Sequence, residues 1–228
     1  MEENTLQVLE KWGISLTPEQ TAQLELFREE LLDKNARFNL ISENDAGDIW
    51  PRHILDALAG APLLAKLLKP GDRIADAGAG AGFPGIPLSV ALPGFAFDLW
   101  DSNLKRQMFL NCAATRLKLK NVRALHSRIG QSPGLETGKY AAVVERAMGK
   151  LENILSQCLN MLEPGGVFLA WQSVQPKDSP EIRKTLELRR ARMETAFSYR
   201  LPLEEKDRRI IIFRKDPNIP TGEPNAYP

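Results

Sequence analysis

Histidine and cysteine are scarce in this chain, with two of each in 228 residues. Cys112 and Cys158 lie far apart, without the close spacing of a metal knuckle or a redox pair. They read as two reduced core thiols of a cytoplasmic protein. His53, on an apolar helical face in "RHILDAL", reads as a hydrogen-bonded packing residue, and His126 ends a strand. Neither has a set of partner ligands, so no metal is expected. No apolar run approaches the roughly 20 residues that span a bilayer, so no membrane is expected. The opening "MEENTLQVLEKWG" is acidic and lacks the basic-then-apolar order of a secretory signal. There is no internal repeat, and no nucleophile sits beside an obvious base.

An excess of one charge is also missing, since the net charge is +1. The charge is nevertheless segregated. Residues 1–60 hold 12 acids and 5 bases, residues 101–128 hold 7 bases and 1 acid, and residues 181–215 hold 11 bases and 6 acids. Each basic region reads either as a solvated face or as a contact for a polyanion.

The apolar pattern changes near residue 71. Before it, "TPEQTAQLELFREELLDKNARF" begins with a Thr17–Gln20 capping box and Pro18 at the first helical position. Leu24, Phe27 and Leu31 follow at helical spacing. A second helix is expected from about Asp48 to Leu68, broken near Pro51 and Pro62. Residues 1–70 thus read as a helical N-terminal cap. From 71 to 215, short apolar runs alternate with helical stretches: "RIADAG", "FAFDLWD", "VRALHS", "YAAVVERA" and "GVFLAW" as strands, with helices at 85–92, 103–119 and 150–162. "EPGG" at 163–166 reads as a turn feeding the fifth strand. "ARMETAFSYRLP" and "DRRIIIFRK" read as an antiparallel hairpin, and residues 216–228 as a loose tail. The fold class is α/β: a Rossmann-like, mostly parallel seven-stranded sheet ending in an antiparallel hairpin, the order of class I methyltransferases.

The segment "DAGAGAGFPGIP" at 76–87 follows the first strand. It holds two overlapping glycine series, one suited to S-adenosylmethionine and one to a dinucleotide. Glycines there bare backbone N–H groups to a ligand. Asp76 would repel a pyrophosphate but suits an ammonium and a sulfonium. Pro84 and Pro87 remove N–H donors that a pyrophosphate would use. Gly85 reads as a close helix–sheet contact. Asp101, ending the second strand, can accept both ribose hydroxyls of either cofactor. Asp98, inside that strand, is out of a ligand's easy reach. Trp50, Trp100 and Trp171 read as core or cofactor packing.

"RHILDAL" at 52–58, "DAGAGAGFPGIPL" at 76–88, "DSNLKRQMFL" at 101–110 and "ERAMGKL" at 145–151 closely resemble the RsmG (GidB) family, in order and in spacing, from about Asn39 to Lys215. That family consists of bacterial enzymes that move a methyl group from S-adenosylmethionine to N7 of one guanine in the 530 loop of 16S rRNA. The resemblance implies that Gly78, Gly80, Gly82 and Phe83, with Asp76, hold the methionine end and adenosine. Asp101 and Ser102 lie at the ribose, and Ile129 and Gly130 lie against the adenine. Arg146 borders the cofactor and the incoming guanine, and Arg128 and Arg208 face RNA, which makes Arg146 and Arg128 the catalytic candidates. Arg52 and His53 link the cap to the cofactor fold. For Arg146 the other reading is a buried ion pair with Glu145 or Asp76. The implied partner is 16S rRNA or a partly assembled small subunit, met by a monomer. Relatives often carry Val-Glu where Ile129-Gly130 stands, lysine at Gln172, and histidine at Arg209. Three further readings stay open: a small-molecule methyltransferase, a cofactor-binding assembly or regulatory factor without turnover, and an NAD-dependent oxidoreductase.

Overall fold

The computed structural model describes residues 3–42, 46–131, 136–173, 179–202 and 204–218. Of the tail expected at 216–228, residues 219–228 lie outside these. Among the described residues no helix is long and apolar enough to cross a membrane.

Helix α1 (Glu3–Lys11) leads into α2 (Pro18–Phe38). The capping box forms as expected: Gln20 N–H donates to Thr17 Oγ1 at 3.2 Å, and Thr17 N–H to Gln20 Oε1 at 2.8 Å. Leu24, Phe27 and Leu31 are buried. The second helix is more broken than expected. A π-helical turn at Ile49–Ile54 runs into α3 (Leu55–Leu58), and α4 (Ala61–Leu67) starts again with Pro62 in its first turn. Pro51 has no N–H to give, and the wide turn forms around it.

Seven strands follow: β1 (Arg73–Ala77), β2 (Ala96–Asp101), β3 (Val122–His126), β4 (Tyr140–Arg146), β5 (Leu162–Gln172), β6 (Ala191–Tyr199) and β7 (Arg208–Lys215). Their order across the sheet is β3-β2-β1-β4-β5-β7-β6. The first five are parallel; β7 runs antiparallel to both β5 and β6. This is the expected topology. Helices α5 (Gly85–Ala91) and α6 (Leu104–Arg116) join α2 and α3 on one face, and α7 (Leu151–Met161) and α8 (Pro180–Leu188) cover the other. Side chains alternate between these layers along each strand: Ile74, Phe97, Val144 and Leu169 face α2 and α5, while Ala75, Trp100, Val143 and Phe168 face α7. The N-terminal helices therefore share one core with the sheet.

Three local features differ from expectation. "EPGG" is not a separate turn. It lies within β5, where the register jumps from Tyr140↔Leu162 to Ala142↔Val167. The extra residues bulge there, with Gly165 at φ 79°. Helix α8 was not among the expected helices, although Ser179 caps it and Pro180 stands at its first position, as Thr17 and Pro18 do for α2. Cys158 is buried, but Cys112 is exposed. Helix α6 turns Phe109, Leu110, Ala113 and Ala114 inward and leaves position 112 to solvent.

Two expectations inside the sheet hold. Asp98 is buried and accepts hydrogen bonds from Arg73, from Arg123 at 2.8 Å and from the Tyr140 hydroxyl at 2.9 Å. Burial alone would raise its pKa, but these donors hold it below the ordinary value. Gly85 packs against the sheet so closely that a Cβ would lie 2.3 Å from Leu99 Cδ2 and 2.5 Å from Asp76 Oδ2. Gly85→Ala is therefore expected to destabilise the chain by about 1–3 kcal/mol through overpacking. Gly94→Ala, with nothing within 4 Å of its Cβ, should leave the melting temperature within a degree or two. Equal melting temperatures for the two variants would refute the close contact.

Candidate active site

Strand order reverses at β1, and the ends of β1 to β5 bring the chemistry-bearing residues to one edge of the sheet. The glycine loop leaves β1 with Gly78, Gly80 and Gly82 at φ 68°, 56° and 93°, a backbone region in which a Cβ is strained. Gly82 has a second reason to lack one, since its Cβ would lie 2.9 Å from Ile86. Two carboxylates hold the loop. Asp101 accepts from Gly80 N–H at 2.9 Å through Oδ2 and from Asn103 N–H at 2.7 Å through Oδ1. Asp76 accepts from Gly85 N–H at 2.8 Å through Oδ2. Its Oδ1 is buried with no hydrogen-bond partner among the described residues. Burial pushes Asp76 up to about 7, against the pull of the Gly85 N–H and Arg146.

Three cavities adjoin along this edge. The first, about 390 Å³, is walled by Trp100, Asp101, Ser102, Arg128, Ile129, Met148 and Gln157, with Gly78 at one side. The second, about 350 Å³, lies over the loop from Gly78 to Ala81 and Phe83, between Leu40, Ile41, Arg52, His53, Arg106 and Arg146. The third, about 250 Å³, lies among Asp56, Arg146, Gly149, Trp171, Gln172, Ser173, Tyr199 and Arg208. Ala147, at φ 60°, lines all three.

Arg146 sits where the second and third cavities meet. Its Nη1 donates to Asp56 Oδ2 at 2.9 Å, its Nη2 lies 2.8 Å from His53 Nδ1, and its guanidinium stands 4.9 Å above the Phe83 ring. His53 stacks on the same ring at 5.1 Å. The ion-pair partner is thus Asp56, not Glu145 or Asp76. Asp56 is a hub, with a side chain only 1% exposed. Tyr199 O–H donates to its Oδ1, Arg208 Nη1 lies 3.1 Å from its Oδ2, and Trp171 Nε1 donates to its backbone carbonyl at 2.9 Å.

Known proteins resemble this chain in sequence and in fold. A family model described as rRNA small subunit methyltransferase G (GidB) matches residues 20–210. The chain belongs to the GidB family. Proteins named ribosomal RNA small subunit methyltransferase G from Oceanobacillus iheyensis and Bacillus licheniformis are each 32% identical to it. The matches cover 99% and 96% of this chain and 98% and 95% of those proteins. Among solved structures, the CurJ carbon methyltransferase matches over 93% of this chain and 70% of its own, with TM-score 0.55 and 13% identity. M. jannaschii TYW2, solved in complex with AdoMet, matches over 70% and 74%, with TM-score 0.52 and 12% identity. These two show the fold alone.

The residues that the family resemblance singles out are distributed as follows. Gly78, Asp101, Ser102, Arg128 and Ile129 line the first cavity; Gly80, Phe83, Arg52, His53 and Arg146 line the second. Arg208 lines the second and third. Asp76 lines none of the three and lies beneath the loop as its brace. Gly82 faces the core through Ile86 and Phe27. The Gly130 N–H, which could have met an adenine, donates to Glu136 at 2.7 Å. Asp56, Tyr199 and Gln157 were missed. Asp56 had a readable signal as the sole charged residue between His53 and Lys66. Among the described residues no group of three or more His, Cys, Asp or Glu could hold a metal.

Two outcomes follow from this geometry. Asp56→Ala leaves two guanidiniums and a buried hydroxyl without their acceptor, so it should cost about 3–5 kcal/mol in urea unfolding. A loss under about 1 kcal/mol would refute the hub. Burial holds both Asp76 and Glu145 near 7 in the folded chain, against about 4 when unfolded. Between those values the folded chain binds more protons, so stability should fall as pH rises from about 4 to about 7. Asp76→Asn should flatten that slope, and urea midpoints at pH 5, 6, 7 and 8 would show it. An unchanged slope would contradict the buried, uncompensated carboxyl.

Proposed function

We propose that this chain transfers the methyl group of S-adenosylmethionine to N7 of a guanine in the 530 loop of 16S rRNA. The observation that carries the reading is the row of three joined cavities, with Arg146 between the second and third. The residues present fit the cofactor. The first cavity offers Trp100 and Ile129 as apolar walls for an adenine and Asp101 as an acceptor for ribose hydroxyls. The second places Arg52 and Arg106 where a methionine carboxylate would need cations, over glycines whose missing Cβ atoms leave room. When bound, S-adenosylmethionine supplies an electrophilic methyl on a sulfonium.

The chain's own part is positioning. Guanine N7 has a free lone pair and no proton, so no general base is required, only in-line approach. This accords with the lack of a nucleophile–base pair. Arg146 is fixed by Asp56, His53 and Phe83, and its remaining N–H donors can orient guanine O6. Two guanidiniums, Arg146 and Arg208, border the third cavity, and Asp56 and Glu204 balance them. The side chains around this cavity therefore carry no excess positive charge to oppose a base that turns cationic on methylation.

Of the two basic regions, the one at 101–128 is better placed for phosphates. Arg106 and Arg128 are exposed at the cavity rim and Lys105 beside them, whereas Lys118 and Lys120 lie at the other end of the sheet with Pro93 and Asn121. In the other region Arg189, Arg200, Arg208, Arg214 and Lys215 are already bound to Ser156, Asp207, Glu204, Glu194 and the Leu162 carbonyl. The partner is 16S rRNA, naked or in a partly assembled small subunit, met by a cytoplasmic monomer. Binding should weaken steeply with salt.

Mass mapping of 16S rRNA from cells with and without the gene tests the reading. One N7-methylguanine in the 530 loop should vanish with the gene, and an unchanged signal would overturn the proposal. Arg146→Lys keeps a cation beside Asp56 but loses the planar fork. It should retain cofactor binding by calorimetry and lose at least a hundredfold in methyl transfer. Near-normal transfer would remove Arg146 from its positioning role.

A further inference from the structure

The third cavity is the smallest of the three, about 250 Å³, below the roughly 300–1,000 Å³ typical of drug-sized ligand sites. It suits a single flat heterocycle more than a whole nucleotide. Its walls are almost all donors or rings: the guanidiniums of Arg146 and Arg208, the Trp171 indole and the Tyr199 phenol. Tyr199 and Trp171 spend their polar hydrogens on Asp56. The acceptors of Asp56 are in turn consumed by Tyr199, Arg146 and Arg208.

Among the described residues two side-chain acceptors on this wall make no hydrogen bond, the Gln172 carbonyl and the exposed Ser173 hydroxyl, and only the Gln172 side chain is held in place by a second bond. Gln172 is the last residue of β5 and is half-buried. Its Nε2 donates to Glu145 Oε1 at 3.1 Å. Glu145 is fully buried beneath the cavity floor and also accepts from Met148 N–H at 3.3 Å. That bond turns the amide nitrogen inward and leaves the carbonyl oxygen as the outward end. Among the described residues this oxygen accepts from no donor.

A guanine brought up for methylation must direct N7 at the methyl donor. O6, beside N7, then falls to an arginine, the commonest partner of that edge. The 2-amino group, on the opposite side of the base, needs an acceptor. Adenine has no amino group there and presents an N–H donor in place of O6. We infer that the Gln172 side-chain carbonyl, held outward by Glu145, accepts a hydrogen bond from the 2-amino group of the target guanine. Gln172 is then a specificity-determining residue of the third cavity. This inference rests on the guanine-N7 reading above.

The test uses the full-length protein with S-adenosylmethionine and small subunits reconstituted from 16S rRNA carrying either guanosine or inosine at the target position. Inosine keeps N7 and O6 and lacks only the 2-amino group. The wild-type chain should methylate the inosine subunit with about tenfold lower kcat/KM, the worth of one hydrogen bond to a buried acceptor. Gln172→Met keeps the length and loses the carbonyl. It should lower kcat/KM on guanosine about tenfold and treat the two subunits alike. A general loss of structure would lower both rates without erasing their ratio. Equal wild-type rates on guanosine and inosine would overturn the inference, and so would a Gln172→Met chain that still discriminates. No transfer even to the guanosine subunit would instead overturn the guanine-N7 reading itself.

Discussion

The cavity-bearing edge of this protein depends on one buried carboxylate. Asp56 lies in an otherwise apolar helical stretch, and taking it out of water is tolerable only because its partners come to it. They come from four strands: Arg146 from β4, Trp171 from β5, Tyr199 from β6 and Arg208 from β7. Arg146, Trp171 and the β6–β7 hairpin that carries Tyr199 and Arg208 are well separated in sequence from one another and from Asp56, and β7 enters the sheet between β5 and β6. A single carboxylate therefore sets the position of the N-terminal helices against the cavity-bearing edge of the sheet. It also fixes Arg146 in one orientation, since a guanidinium pinned by Asp56 and His53 above the Phe83 ring has little freedom left. Stability and positioning here are the same set of bonds.

The floor beneath the cavities follows a second logic. Asp76 and Glu145 lie on neighbouring strands, each wholly buried, and neither is paired with a cation at hydrogen-bond distance. Each is held instead by neutral donors: backbone N–H groups for both, and the Gln172 amide for Glu145. Burial then dominates and raises both carboxyls to about 7. Asp101 contrasts with them. It also braces the glycine loop, through Gly80, yet it opens onto the first cavity, with Arg106 Nη1 at 3.8 Å. Of the acids that shape this loop, one supports it from below and one opens onto a cavity.

The fold was legible in the sequence because its signals are local. Capping box, glycine loop and alternating strands each declare themselves within a dozen residues, and Thr17, Gly85 and Asp98 stand in the roles that the pattern assigned. The misreadings share a cause: they depend on what lies across the molecule. "EPGG" reads as a turn until β4 is seen to run alongside it, and Cys112 reads as core until α6 is rotated onto the sheet. The site divides in the same way. Gly78, Asp101 and Arg146 carry motif spacing. Tyr199 carries none, because its part is defined only by Asp56, 143 residues earlier. Asp76 was visible, but its direction was not; only the backbone shows that it turns under the loop.

The departure at position 172 looks, in sequence, like the loss of a fixed positive charge near the site. The geometry argues otherwise. The side chain at the end of β5 is in contact with Glu145, and a lysine in this place would have that carboxylate within reach. Gln172 makes a neutral hydrogen bond where a lysine could form a buried ion pair. It leaves Glu145 without a counter-ion, consistent with a carboxyl that burial lifts to about 7. Such an exchange need not weaken the protein, since buried ion pairs often do no better than neutral packing once desolvation is counted. It removes a cation from the rim of a cavity whose other charges, Arg146 and Arg208 against Asp56 and Glu204, already balance. For the proposed N7 methylation, whose product is itself a cation, a neutral amide at that rim is compatible with turnover.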